Sequence, residues 1–175
     1  MRRLVVPLAL FAVLAAPAAV LAATSAAGDG TLVVKNGTAP DSGPDRAPVV
    51  RLTITGSVIG QITGQGSKIT IDGGAKSPAP EVVGAAGPGK DVPQSDTAKV
   101  WTSGADVLKF RAVGGTYTIV IFGTGVNLVA VGTGTVQLAG TPDVVRGDGR
   151  YSFNGDVFKS LPSVPTKQLP IGSTD

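Results

Sequence analysis

An all-β fold, an antiparallel β-sandwich or barrel of short strands joined at glycine turns, follows from three observations. Glycine and proline are abundant, 25 and 13 of 175 residues, while aromatic residues make up only 5%. That mixture suits frequent turns and short extended segments and starves helices. Apolar and polar residues alternate with a period of two, most clearly where Val50, Leu52 and Ile54 oppose Arg51, Thr53 and Thr55, the signature of a half-buried strand. Finally, an apolar residue followed by glycine recurs every nine positions from Val113 onward, each time ahead of a run of β-formers. Self-similarity at a fixed period calls for a repeated supersecondary unit.

The chain opens differently. Arg2 and Arg3 form a positive start, Leu4 to Val20 is apolar, and Val20-Leu21-Ala22 before Ala23 places small or moderate residues where an export signal is cut. Residues 1–22 therefore read as a helical signal peptide of the general secretory type, with a weaker cut at Ser25-Ala26-Ala27. A membrane span is the competing reading, since Leu4 to Ala23 could just cross a bilayer. Pro7, Pro17 and the alanine-rich end weigh against it. Residues 23–30 are then a flexible N-terminal segment, 31–161 the all-β domain and 162–175 an irregular tail. The location expected is secreted, extracellular or cell envelope, with membrane contact only through the signal if it stays uncut.

Within the domain, Thr31 to Lys35 is a first strand ending at Asn36-Gly37, and 39–45 is a proline-bounded loop. Val49 to Thr55 is the alternating strand, continued by Ser57-Val58-Ile59 and Lys68 to Ile71, with Gly60, Gly64, Gly66 and Gly73-Gly74 as punctuation. Residues 75–97 are poor in apolar groups and rich in Pro, Gly and Ala, so a long exposed excursion is expected, with Glu81-Val82-Val83 as its one chance to pair. Strands resume at Ala98 to Thr102 and at Val107 to Arg111. Asn154-Gly155 between Arg150 to Phe153 and Asp156 to Lys159 is a strong hairpin signal. Pro162, Pro165 and Pro170 make the tail irregular.

Two geometries suit the nine-residue unit carried by Gly114-Gly115, Gly123-Thr124-Gly125 and Gly132-Thr133-Gly134. The glycines can turn successive antiparallel hairpins in a sandwich or barrel, the preferred reading. Each unit can instead be half a coil of a short parallel β-solenoid. A calcium-binding nonapeptide solenoid needs Asp two places after the second glycine, where this chain has Asn127 and Val136. No charged residue lies between Arg111 and Asp143, so these are expected to be central strands, with a self-association surface as the alternative.

Composition removes several chemistries. The chain has 15 basic and 12 acidic residues. Losing Arg2 and Arg3 leaves 13 against 12, scattered singly, which is unlike a nucleic-acid-binding surface. Cysteine and histidine are both absent, which removes thiolate nucleophiles, His/Cys zinc sites, a histidine base and any disulfide.

The run Phe110 to Tyr117, the glycine repeat, and Gly149 to Gly155 before Ser160-Leu161-Pro162 resemble exported, uncharacterised actinobacterial glycine-rich all-β proteins. The likeness spans about residues 28–165. It implies a bacterial envelope or extracellular setting and carries no activity or functional residues.

Motif matches are weak. Gly84-Ala85-Ala86-Gly87-Pro88-Gly89-Lys90-Asp91 nearly forms a phosphate loop, but Asp91 replaces the Mg²⁺-binding hydroxyl and Pro93 denies the following helix. Asp41-Ser42-Gly43 lacks the second copy a carboxylate dyad needs. Asn36-Gly37-Thr38 is a glycosylation sequon only in a eukaryotic host. Glu81 is the sole glutamate, and Asp29, Asp72, Asp148 and Asp156 sit beside glycine as turn residues do. No catalytic set, cofactor or metal site is expected. Trp101 and Tyr151 are the candidate ligand-binding residues, as aromatic platforms for sugar rings, although isolated strand aromatics more often pack in the core. The expected function is an exported structural or interaction domain without catalysis, the alternative a carbohydrate- or small-ligand-binding β module.

Overall fold

The computed structural model describes residues 28–39, 47–93, 95–140 and 149–173. The signal peptide and the Asp41-Ser42-Gly43 triplet lie outside them. All the strands belong to one sheet: β1 Gly30–Ala39, β2 Val50–Ile62, β3 Lys68–Asp72, β4 Glu81–Val83, β5 Lys90–Asp91, β6 Ala98–Thr102, β7 Leu108–Leu138, β8 Arg150–Phe153, β9 Lys159–Ser160 and β10 Leu169–Ile171. Among the described residues there is no helix. The order is β5-β6-β3-β7-β1-β8-β9, with β2, β4 and β10 also paired to β7, and the sheet does not close.

β7 organises everything else. It is one strand of 31 residues, and β2 pairs with two stretches of it. Val50 faces both Ile121 and Leu138, Gly56 both Gly115 and Gly132, and Ile62 both Leu108 and Val126. Partner numbers fall as β2 numbers rise, so both pairings are antiparallel. Val49 shows the same double attachment: its N–H donates to Ile121 O and its carbonyl accepts from Ala139 N–H. Residues of β7 that share a β2 partner are two strand spacings apart, about 9.5 Å, although the extended chain between them measures roughly 55–60 Å. β7 therefore winds back on itself, and β2 fills the space between its two passes.

The glycines make this winding possible, and here the structure departs from the expected hairpins. Gly114, Gly123, Gly125, Gly132 and Gly134 all lie inside β7 instead of between strands. Gly114, with φ of 71°, is an extra residue where the β2 register slips from Gly56/Gly115 to Ser57/Val113. Gly125, with φ of 66°, sits where the β1 register slips between Gly37/Val126 and Ala39/Gly123. Such bulges bend a strand without ending it and reverse the phase of its side chains. The buried set accordingly runs Tyr117, Ile119, Ile121 before the second bulge and Val126, Leu128, Ala130 after it.

At a third place the requirement is space. Gly115, Gly56, Gly132 and Gly30 line up in register across adjacent passes. A Cβ on Gly56 would strike Val131 O, and one on Gly132 would strike Thr55 O, so any larger residue would push the ladders apart. The parallel solenoid is excluded by the antiparallel pairing.

The core is aliphatic. Leu52, Ile54 and Val58 of β2 pack with Leu32 and Val34, Ile69 and Ile71, and the inward residues of β7 including Phe110, Val136 and Leu138. Burial of this kind contributes about 25 cal/mol per Å² of apolar surface and explains how the fold stands without sulfur. On the opposite face, the Thr55 and Thr116 hydroxyls meet at 2.9 Å.

Two expectations about the periphery change. The 75–97 excursion pairs at Glu81 to Val83, as that segment allowed, along Arg111 to Lys109, and is pinned a second time, unexpectedly, by β5 along Val100 and Lys99. The tail is not irregular throughout: β10 pairs with Val136 to Gly134 and buries Ile171. Pro170 is tolerated there because an edge strand need not donate on its outer side. The hairpin at Asn154-Gly155 forms, with φ of 50° and 79°, both positive as a type I′ turn requires. Its second strand begins at Lys159, not Asp156, opposite Tyr151.

Candidate functional site

Trp101 and Tyr151 lie on different parts of the sheet, Trp101 on β6 and Tyr151 on β8, with β3, β7 and β1 between those strands in the sheet order. Both are partly buried against the core. Tyr151 makes an edge-to-face contact with Phe153, ring centroids 5.7 Å apart. Gly89 lies directly over the Trp101 indole, so close that a Cβ would be 2.5 Å from its ring. Trp101 borders a hollow walled by Pro78, Pro80 and Pro88, but the two aromatics do not form a shared platform.

The Gly84 to Asp91 stretch contains no helix; it leads from β4 to β5, so it offers none of the helix N-terminal amides that hold phosphate. Of the turn aspartates, Asp72 has a defined task. It accepts hydrogen bonds from the Thr97 and Ser95 hydroxyls and from Gly74 N–H. The Thr97 bond, followed by that from Gly74, holds its carboxyl below the usual value of 3.8. The carboxylate thus ties the two ends of the 75–97 excursion together. Asp72 also borders a hollow with Asp29, Thr55 and Thr116.

A further concavity among the described residues involves none of these. It is a groove of 520 Å³ on the outward face of β4, β7, β2 and β1, a size within the range of about 300–1,000 Å³ of small-molecule sites. Strand register builds its floor: Val33 opposite Val129, Val129 opposite Ile59, Ile59 opposite Arg111 and Arg111 opposite Glu81. In the next row Gln61 faces Asn127 and Lys109, and Lys109 faces Val83. Ile59, Val83 and Val129 are 42%, 69% and 45% exposed, on a face that alternation reserves for polar residues.

The groove has a charged border. Lys35, Lys109 and Arg111 line it together with Glu81, three cations against one anion. The Nε of Arg111 is buried and has no hydrogen-bond partner. Lys35 is steadied by Phe158, its ammonium 4.3 Å from the ring centroid. Asn127 exchanges hydrogen bonds with Asn36, receiving one from Asn36 N–H and donating from Nδ2 to Asn36 Oδ1, which fixes one wall.

Reading the sequence alone overlooked this site. Its trace is the adjacent apolar pairs, Val58-Ile59 and Leu128-Val129, which break the alternation by placing one aliphatic residue outward. No protein-family model, curated protein or solved structure matches the chain.

Proposed function

We propose that this chain is an exported, non-catalytic interaction domain of the cell envelope or extracellular space, and that it binds through the groove on β4, β7, β2 and β1. The observation that carries the reading is the convergence of Ile59, Val83 and Val129, aliphatic and exposed, on one basic-bordered concavity. Exposed apolar surface gathered in one place marks a binding site more often than scattered residues do. The arginine-led start and apolar Leu4 to Val20 support export. The two passes of β7, hydrogen-bonded to either edge of β2, are read as neighbouring strands of one wall of a sandwich- or barrel-like core, and their register sets the groove's floor.

A small-ligand-binding module is favoured over a sugar-stacking one, because the sugar reading relied on Trp101 and Tyr151 acting together. The test is the binding of a neutral apolar fluorophore such as Nile red, with Val129→Glu and Ile59→Gln as variants. Both positions face outward, where a polar side chain suits the strand; circular dichroism checks the fold, and each variant is expected to abolish the fluorescence gain. Equal fluorescence from wild type and both variants would place the binding surface elsewhere. A concentration-dependent dimer in size-exclusion that Val129→Glu dissolves would show that a second copy of the chain fills the groove.

A further inference from the structure

Resting on that reading of the groove, we infer that its occupant is an amphipathic anion with one long acyl chain, a fatty-acid-type carboxylate. Three features point to it. The floor is aliphatic, supplied by Val33, Ile59, Val83 and Val129, and offers dispersion contacts along its length. The border carries Lys35, Lys109 and Arg111 against Glu81 alone, so a negative headgroup is favoured over a neutral or positive one. Arg111 also has a buried Nε without a partner, and a guanidinium is the donor best shaped for a carboxylate.

The groove discriminates against a peptide for a reason rooted in the sheet. It lies over the central strands, where β2 is hydrogen-bonded to β7 along both of its edges. An extended peptide there would find no ladder to join, and its own amides would be covered without partners, which costs free energy at each one. Of the two amide side chains in the groove, Gln61 and Asn127, Asn127 is already bonded to Asn36 and Gly125, which leaves Gln61 as the one amide without such a bond to meet a peptide backbone. An acyl chain has no such groups to satisfy. The single ladder at the margin is β4, only three residues long.

The inference is tested by calorimetric titration of the whole protein with hexadecanoate below its micellar concentration, beside hexadecanol and an acidic, leucine-rich peptide. One hexadecanoate per chain is expected, bound about tenfold more tightly than hexadecanol, the ratio one charge-assisted contact supplies. Lys109→Gln with Arg111→Gln is expected to remove that preference, bringing hexadecanoate to the affinity of hexadecanol for the same variant, and Val129→Glu to remove binding of both. Circular dichroism confirms that each variant is folded, and Ile59→Gln replaces Val129→Glu if it is not. Equal affinity for acid and alcohol, or hexadecanoate binding that survives Val129→Glu, overturns the inference. Tighter binding of the peptide overturns it too. If Nile red binds the groove and hexadecanoate does not, the acyl-anion assignment fails and the interaction reading stands.

Discussion

Replacing Gly56 by alanine separates two reasons for a glycine, backbone conformation and lack of room. At Gly56 both apply. Its φ is 150°, and a non-glycine residue held there costs about 1–3 kcal/mol. An added Cβ would also strike Val131 O and lie 2.8 Å from Gly132 Cα. These are backbone atoms of the neighbouring pass and cannot rotate aside, so relief requires separating two ladders, a further 1–3 kcal/mol or so by analogy with overpacked cores. The expected loss is about 2–6 kcal/mol, which for a domain of this size lowers Tm by roughly 5–20 °C. Two glycines calibrate the measurement. Gly74 has φ of 59° with nothing within 4 Å of an added Cβ, so alanine there costs about 1 kcal/mol from conformation alone. Gly87 has open space and no such φ, so alanine there is neutral or gains about 0.4–1 kcal/mol through the unfolded state. Urea unfolding of the three variants, followed by circular dichroism, ranks them. A Gly56→Ala midpoint no lower than that of Gly74→Ala would refute the close approach of β2 and the second pass of β7.

Other measurements probe single contacts. The buried hydroxyl of Tyr117 donates to the carbonyls of Pro78 and Val113 at 3.0 and 3.1 Å, so Tyr117→Phe is expected to cost about 1–2 kcal/mol in urea unfolding. Burial also raises the Tyr117 pKa above 10.0. The unfolded chain then releases this proton first, so the associated stability is intact below pH 10 and is lost as pH climbs through the raised folded value; Tyr117→Phe should flatten that decline. Asp72 behaves in the opposite sense. Its lowered pKa contributes stability above its ordinary value that disappears as pH falls through the folded value, and Thr97→Val should move its NMR titration midpoint upward. In the hairpin, Gly155→Val places a β-branched residue at φ of 79° and should lower the thermal midpoint, while Gly155→Asn should nearly preserve it.

Strand chemistry was legible in the sequence wherever it is local. The alternation through Val50 to Thr55 gave the buried face of β2 correctly, and Asn154-Gly155 gave its turn, because side-chain period and left-handed φ belong to the residues themselves. What a glycine pair does is not local. Gly123 and Gly125 satisfy the composition of a hairpin turn equally well, and only their neighbours from a distant segment, the side chains of Ser67 and Thr63 pressing where their Cβ atoms would be, make them a bend in a continuing strand. Pro170 hid β10 for a similar reason: proline rules out a central strand and says nothing against an edge. The groove escaped notice because Ile59, Val83 and Val129 come from three separate segments and become one surface only through register. Trp101 and Tyr151 drew attention by type, yet which side of a strand an aromatic covers depends on what packs above it.

The placement of β2 between two passes of β7 bears on how the molecule is made and unmade. Val50 needs both Ile121 and Leu138, so a chain emerging from its amino end cannot finish this strand until most of its length has appeared. Contacts of such wide sequence separation predict slow assembly. Once formed, β2 has no free margin from which to peel. Its amides should exchange with solvent only when the whole domain opens, making it the last segment a protease could reach.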